Sequence, residues 1–153
     1  MITPGQTLEN PVTGERFTFT DTAGSTGGEL LAFDLALAPG GAVPIAHVHP
    51  IQTERFEVVE VAPGVVHSFA NAGAEEALVH VEVRPALAME RMLAEVVAMA
   101  RAGRMTRRGL PRSPRELALL ARTYDREAHA PLLSVGLQRL LLAPLTLSAP
   151  HAR

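Results

Sequence analysis

GGAVPIAHVHPIQTERFEVVEVAPGVVHSFAN, residues 40–71, is the stretch around which this chain is organised. It holds three of the six histidines and the only metal-ligand spacing in the sequence. His47 and His49 are two residues apart, so both side chains leave the same face of an extended strand. After a turn at residues 50–53, Glu54 opens an alternating run and places one carboxylate beside apolar neighbours.

His67 extends this set, because it follows the turn signal Pro63-Gly64 and shares a strand face with Phe69. Three neutral imidazoles and one carboxylate suit a divalent first-row transition metal, from zinc to iron, manganese, nickel or copper. The sequence therefore predicts a mononuclear metal site made by His47, His49, Glu54 and His67.

Composition limits the classes of protein and of chemistry. With 153 residues and 47% hydrophobic content, the chain is long enough for one domain with a substantial core and too short for two ordinary domains. The formal charge of −2 does not favour nucleic acid or another polyanion as a partner. The sequence has no cysteine, which excludes disulfides, thiolate catalysis and iron–sulfur clusters, and no lysine, which excludes Schiff-base chemistry.

Neither end of the sequence predicts a targeting or membrane segment. Residues 1–10 lack the basic and apolar regions of a secretory signal, so a cytoplasmic location is the expectation. Residues 131–149 are strongly apolar, but Gln138, Arg139 and Pro144 interrupt them, and an arginine in mid-span is costly. A helix docked on the domain or on a partner subunit is expected instead. Its leucines need cover, which favours a homodimer.

Three further segments alternate apolar and polar residues as half-buried strands do. They are residues 16–20, 29–38 and 76–84, and Gly or Pro turn signals separate them from the rest of the chain. Residues 29–38 (ELLAFDLALA) also allow a helix, because Ala and Leu are good helix formers. Short strands between such turns predict an antiparallel all-β sandwich or barrel.

The pattern becomes helical after Pro85. Apolar residues between positions 86 and 101 recur at helical spacing, and Gly103 is a suitable C-cap. Residues 113–116 (SPRE) provide an N-cap serine, a proline at the first helical position and a glutamate at the third. A second helix is therefore expected to run to about residue 128.

The central stretch resembles the two sequence motifs of the cupin family, G-x5-H-x-H-x(3,4)-E-x6-G and P-x-G-x2-H-x3-N. The residues that match in order are Gly41, His47, His49, Glu54, Gly64, His67 and Asn71. Two positions depart from the motifs, because Val61 stands where the first ends in glycine and Ala62 where the second begins with proline. The resemblance covers residues 10–85 and extends loosely into the helical tail.

The resemblance implies a cupin-type jelly-roll β-barrel in residues 1–85 and a helical C-terminal extension in residues 86–153, packed on the barrel or on a partner subunit. It also implies one divalent Fe, Mn, Ni, Cu or Zn ion in the barrel mouth, with Glu54 as a ligand or a catalytic base. A metal-dependent enzyme acting on a small organic molecule is the leading interpretation, with dioxygenase the first reaction type to test and isomerase another. The alternative is a non-catalytic small-molecule-binding or oligomeric scaffold protein with a degenerate site.

The two motifs run directly into each other, whereas cupins place a strand hairpin between them. One inter-motif hairpin is therefore expected to be absent, with a direct hairpin centred near Val61-Ala62 in its place. This hairpin would put Glu57 roughly opposite His67. Glu54 would then lie roughly opposite Ala70, as a diagonal neighbour of His67. The shortened sheet would need cover from the helical tail or from a second subunit.

Other residues have simpler interpretations. His80 faces away from the valines of its strand and is expected in solvent, whereas Gln52 is a candidate contact to a metal-bound water or ligand. Phe56 and Phe69 are expected in the pocket wall or in the core. No function is assigned to the remaining histidines, His129 and His151. A basic cluster is expected to be a solvated linker; it consists of Arg101, Arg104, Arg107, Arg108, Arg112 and Arg115.

Overall fold

Eight short strands and three helices form the part of the chain that this computed structural model describes, residues 1–43, 46–131 and 134–147. The strands are β1 (Thr7–Glu9), β2 (Arg16–Asp21), β3 (Leu31–Leu37), β4 (His47–Val48), β5 (Thr53–Phe56), β6 (Val59–Val61), β7 (Val66–His67) and β8 (Ala77–Arg84). The helices are α1 (Met89–Arg101), α2 (Pro114–Thr123) and α3 (Val135–Leu147).

The strands form two antiparallel sheets. The larger sheet has six strands in the order β1-β2-β3-β8-β5-β6, and the smaller sheet pairs β4 with β7. The prediction of a mainly β, antiparallel fold followed by helices is confirmed. The candidate ligands are distributed over both sheets, so the site depends on how the sheets meet.

β3 lies at the centre of the core. It pairs with β2 on one side and with β8 on the other, and its alternating apolar side chains are almost fully buried. Phe17 and Phe19 of β2 pack on Phe33, with ring centroids 5.6 and 5.9 Å apart. The strand interpretation of residues 29–38 is therefore confirmed and the helix alternative is wrong, because pairing on both edges outweighs the helix propensity of Ala and Leu.

α1 packs against the core face of the large sheet. Met89 and Val97 belong to the same buried cluster as the β3 and β8 side chains, and Met92 and Leu93 pack against it. The helix ends before Gly103, whose φ of +69° is the left-handed conformation of a C-terminal glycine. α1 thus supplies the cover that the sequence required for the apolar face of the sheet.

α2 begins as predicted but ends early. Ser113 Oγ accepts a hydrogen bond from the backbone N–H of Glu116 at 3.4 Å, which is the predicted cap. The helix ends at Thr123, several residues before its predicted end. The chain then returns to β4, where the backbones of Val48 and His129 exchange hydrogen bonds of 3.0 and 3.1 Å.

α3 packs against α2 rather than spanning a membrane. Arg122 of α2 donates a hydrogen bond to Thr146, and Arg139 of α3 forms an ion pair with Asp125 at 2.5 Å. Among the described residues, every helix is too short or too polar to cross a lipid bilayer. Parts of the predicted tail, residues 132–133 and 148–149, lie outside the described residues, as does His151.

The basic cluster between α1 and α2 is exposed, as the sequence predicted. Arg104 forms an ion pair with Glu116 at 2.7 Å, and Arg112 donates a hydrogen bond to the carbonyl of Gly103 at 3.1 Å. These contacts tie the linker to the two helices that it joins. Exposed pairs of this kind contribute little to stability.

The predicted hairpin centred near Val61-Ala62 is wrong. The chain turns earlier, at residues 57–58, and β5 pairs with the short β6, so that Glu54 lies opposite Val61 rather than Ala70. Ala70 instead forms an isolated bridge with Ala42. The residues between the two motifs therefore form a short return strand.

A second turn then leads from β6 into β7. The backbone N–H of Val65 bonds to the carbonyl of Ala62 at 3.2 Å, and Gly64 takes a φ of +82°, which favours glycine. This turn directs β7 away from the large sheet and onto β4. His67 consequently lies opposite His47, and its predicted position opposite Glu57 is wrong.

Candidate metal centre

The structure brings the four candidate ligands to one point. β4 begins at His47, His49 follows directly after that strand, β5 contains Glu54, and β7 ends at His67. One ligand atom from each residue, an imidazole nitrogen or a carboxylate oxygen, lies within 4.8 Å of the other three. The sequence placed all four in one site, and the structure places them together even though Glu54 and His67 belong to different sheets.

The ligand atoms that face one another are the Nε2 atoms of the histidines and Oε2 of the glutamate. His47 Nε2 lies 3.1 Å from His49 Nε2, and His67 Nε2 lies 2.8 Å from Glu54 Oε2. His49 Nε2 and Glu54 Oε2 are 3.4 Å apart. The three imidazole rings are within 5.1 Å of one another between centroids, so the nitrogens converge on a small volume.

The backbone holds two of these rings by their far nitrogens. His49 Nδ1 donates to the carbonyl of Glu127 at 2.5 Å, and His67 Nδ1 donates to the carbonyl of Val65 at 3.1 Å. A carbonyl oxygen only accepts hydrogen bonds, so each Nδ1 carries a proton. Nε2 of His67 also carries a proton while it donates to Glu54 Oε2, and a bound metal ion would replace that proton. Nε2 of both rings is thereby directed toward the centre of the cluster, as in metal-binding histidines.

The electrostatics of the cluster keep the carboxylate ionised. Burial alone would raise the pKa of Glu54, but hydrogen bonds from His49 and His67 outweigh it and lower the pKa from 4.5 to about 2. The hydrogen bond to Glu54 raises the pKa of His67 in turn. Glu54 is therefore a negatively charged candidate metal ligand at neutral pH, and it is only 6% exposed.

This donor set fits a divalent first-row transition ion. Three imidazole nitrogens and one carboxylate oxygen are the donors that Zn²⁺, Fe²⁺, Mn²⁺, Ni²⁺ and Cu²⁺ accept in proteins. The backbone carbonyls that bond to Nδ1 of His49 and His67 hold the two rings in place, as metal-binding histidines require. The residues present are therefore chemically suited to hold one ion.

An apolar cavity of about 230 Å³ lies beside the cluster. The side chains of His47, His49 and Glu54 reach its surface. Elsewhere its wall is mainly apolar; six of its side chains are Met92, Leu93 and Val96 from α1 and Phe33, Leu35 and Val81 from the sheet. The candidate metal centre therefore borders a fragment-sized pocket.

The two aromatic residues have their expected place near this pocket. Phe69 lines the cavity, and Phe56 packs edge-on against Phe69 with ring centroids 5.0 Å apart. Edge-to-face packing of this kind fixes the position of both rings. Phe69 is thus part of the wall, and Phe56 supports it from behind.

Two other candidates lie away from the cluster. Gln52 is fully buried, and its Nε2 donates to the carbonyls of Pro85 and Ala86 at 2.9 and 3.0 Å. Gln52 therefore braces the junction between β8 and α1 rather than a bound ligand. His80 pairs with Asp34 at 2.7 Å, and both side chains are about 40% exposed, which agrees with its predicted place in solvent.

One residue that shapes the site has no recognisable signal in the sequence. Glu127 is 5% exposed, and its backbone carbonyl holds His49 while its Oε1 accepts the backbone N–H of Ala88 at 3.0 Å. Sequence periodicity placed Glu127 in a helix, and nothing local to it predicts a contact with a strand 78 positions earlier. The link depends on the return of residues 124–130 to β4.

The four residues that converge are those that match the ligand positions of the cupin motifs. Two histidines of an H-x-H pair lie at a short strand, the third is on the antiparallel strand paired with it, and the glutamate comes from the facing sheet. The antiparallel strands and the ligand cluster agree with the cupin resemblance of the sequence. No family model matches this chain, and no curated protein matches it.

Among solved structures, the chain is similar to a sugar phosphate isomerase from a cupin superfamily of Silicibacter pomeroyi. The two share 17% identity and a TM-score of 0.35 over 55% of this chain and 67% of that one. It is also similar to the protein YlbA of E. coli, with 21% identity and a TM-score of 0.33 over 56% of this chain and 41% of that one. An oxalate oxidase has 15% identity and a TM-score of 0.34 over 90% of this chain and 75% of its own. The chain thus spans less than two thirds of the E. coli protein.

Proposed function

We propose that this chain is a metal-binding cupin that acts on a small organic molecule, with His47, His49, Glu54 and His67 as the ligands of one divalent ion. The observation that carries the proposal is the convergence of their four ligand atoms within 4.8 Å beside an apolar cavity. A bound ion would act as a Lewis acid that polarises and orients an oxygen-bearing ligand.

The residues of the chain supply the rest of the site. Glu54 contributes a negative charge that partly neutralises a divalent ion, and the carbonyl of Glu127 sets the orientation of His49. The apolar wall, including Phe33 and Leu35, excludes water from the ligand side of the cluster. These features support a site that binds a small molecule at the metal, and dioxygenase-type oxidation is the first reaction to test.

Elemental analysis tests the proposal. Protein purified without a His-tag is expected to contain about one transition-metal ion per chain. Added metal is expected to stabilise the fold by about 4 kcal/mol at 1,000 times its dissociation constant, which thermal unfolding would detect. Loaded protein would then be screened for oxygen consumption with small organic acids, alcohols and phenols.

The opposite result would favour the non-catalytic scaffold. Protein that is folded and metal-free, and that gains no thermal stability from added Fe, Mn, Ni, Cu or Zn, would contradict the metal proposal. A loaded protein that is inactive toward every class of substrate would leave a metal-dependent binding protein as the function.

A homodimer is part of this proposal. Described side chains of α3 leave large apolar surfaces exposed; they are Leu137, Leu140, Leu141 and Leu145. We expect light scattering at micromolar concentration to give twice the chain mass of 16.3 kDa. Changing Leu140 and Leu141 to Gln is expected to give monomers, whereas Leu78→Gln, at an exposed leucine on β8, should leave the mass unchanged. A monomer mass for the unaltered protein would contradict the homodimer.

A further inference from the structure

A second buried carboxylate lines the cavity beside the candidate metal centre. Glu15, Phe17 and Phe19 alternate toward the core and are 6%, 6% and 0% exposed, so Glu15 extends the buried face of β2. Glu15 and Glu54 both contribute to the wall of the same cavity. The cavity therefore has a carboxylate at the cluster and another one elsewhere on its wall.

The strand register places these two carboxylates far apart along the cavity. Glu54 lies opposite Val83, which lies opposite Leu31 at the first position of β3. Arg16, the neighbour of Glu15, lies opposite Ala36 near the last position of β3. Since β3 has seven residues, its two ends are about 20 Å apart along the strand. The two carboxylates thus lie toward opposite ends of β3, and side chains of β3 line the cavity wall between them.

The hydrogen bonds of Glu15 leave part of its carboxylate available. Oε2 accepts from Thr13 Oγ1 at 2.6 Å and from Asn10 Nδ2 at 3.5 Å. Within the described residues, no group of the protein donates to Oε1. Burial raises the pKa of Glu15, and the bonds from Thr13 and Asn10 offset this only in part. Oε1 keeps some accessible surface, since Gln52 Oε1 is the one fully buried side-chain atom without a partner in the described residues. A hydrogen-bond donor can therefore reach Oε1 of Glu15.

The charge of the cavity selects the kind of partner. Its described lining residues include two carboxylates and no arginine, and the chain contains no lysine. An anionic group at the Glu15 end would meet a like charge in an apolar setting, which is strongly unfavourable. A hydroxyl or an amine would instead donate to Oε1 of Glu15.

We propose that Glu15 binds the far end of the substrate, which is a chain-like molecule with an apolar body, an oxygen-bearing end at the metal and a hydrogen-bond donor at the other end. The proposal rests on the proposed function for the metal-binding end only. It excludes small dianions and phosphorylated molecules as preferred ligands, because the cavity offers the distal end no cation. Glu15 is thus a specificity-determining residue, separate from the four candidate ligands.

A series of straight-chain hydroxamic acids tests this proposal on the metal-loaded protein. The hydroxamate binds the metal, the chain length varies from two to twelve carbons, and the far end is methyl, hydroxyl, amine or carboxylate. Affinity for the methyl series is expected to rise about fourfold per methylene until the cavity is filled. At the chain length that brings the far end to Glu15, the amine-ended compound should bind about tenfold more tightly than its methyl analogue. The carboxylate-ended compound of that length should bind about tenfold more weakly than the methyl analogue.

Two variants of Glu15 separate its charge from its shape. Glu15→Gln should lose the tenfold preference for the amine-ended over the methyl-ended compound. It should keep most of the preference for the hydroxyl-ended over the methyl-ended compound, while Glu15→Leu should lose both preferences. Thr13→Ala is the matched control, because it removes the hydrogen bond to Oε2 and leaves the carboxylate in place. If Thr13→Ala abolished the preferences as completely as Glu15→Leu, the role of Glu15 would be to brace its turn, and the proposal would be overturned.

The same experiment distinguishes failure of the two proposals. If acetohydroxamic acid does not bind in the presence of metal, the metal-binding function fails. Binding of straight-chain amines that lack a hydroxamate, monitored by NMR of the protein, then tests the Glu15 end by itself. Equal affinity for methyl-ended and amine-ended chains of every length, or a preference unchanged by Glu15→Leu, would overturn the role of Glu15.

Discussion

Replacement of His49 by alanine is expected to reduce metal occupancy to near zero and to weaken metal affinity by more than about 100-fold, since loss of a mere supporting residue typically costs 10–100-fold. His49 is 3% exposed, and its Nε2 lies 3.1 Å from that of His47 and 3.4 Å from Glu54 Oε2. Alanine removes one of the three imidazoles, and among the described residues no further His, Asp or Glu belongs to the cluster that could replace it. Elemental analysis of the purified variant would measure the loss of occupancy. Calorimetric titration with the metal found in the unaltered protein would measure the loss of affinity.

His80→Ala is the matched control for this experiment. It also removes one histidine, but His80 is part of the exposed pair with Asp34. Its metal content should equal that of the unaltered protein. The alanine at position 49 also leaves the carbonyl of Glu127 without its donor, at a cost of about 1–3 kcal/mol, so circular dichroism must show that the variant is folded. Unchanged metal content in a folded His49→Ala protein would remove His49 from the ligand set.

Replacement of Glu127 by alanine is expected to lower metal affinity by about 10–100-fold although Glu127 is not itself a candidate ligand. Its carboxylate accepts the N–H of Ala88 at the start of α1, and its carbonyl holds His49. Without the carboxylate, residues 124–130 keep the hydrogen bonds of Tyr124 to Glu95 and Arg91 of α1 but lose the one nearest His49. The carbonyl of Glu127 then holds the imidazole less firmly. Metal titration by calorimetry would measure the affinity.

Glu127→Gln provides the matched control, because its amide oxygen can still accept the hydrogen bond from Ala88. It is expected to bind metal within a few-fold of the unaltered protein. A loss in Glu127→Ala that Glu127→Gln does not share would assign the effect to the hydrogen bond and not to the negative charge. Equal losses in both variants would show that charge matters instead, and no loss in either would contradict the role of Glu127 in positioning His49.

Local sequence patterns predicted several strands and helices of the fold. The alternation of residues 29–38 gave a strand, because a two-residue period matches the pleat and buries one face against α1. Ser113 with Glu116 marked the start of α2, since a capping serine satisfies an N–H that the helix cannot pair. These signals act within a few residues, so they do not depend on where the rest of the chain lies.

The hairpin between the motifs shows where local signals misled. The two motifs run directly into each other there, which led to the prediction of a single hairpin near Val61-Ala62. The two-residue turn at 57–58 has none of the Asn, Asp or Gly residues that favour such turns. Its position is set by pairing of β5 with both β6 and β8, which no local pattern records.

The sequence by itself determined which side chains form the candidate metal centre, because the spacing of His47 and His49 fixes their common face and because the imidazole and carboxylate types define a donor set. It also determined the β-rich fold and the helices that follow. Only the tertiary structure decided that His67 pairs across from His47, that Glu127 holds His49, and that Glu15 shares the cavity. Residue spacing fixes geometry within one strand or helix, whereas contacts between elements depend on how the sheets and helices pack together.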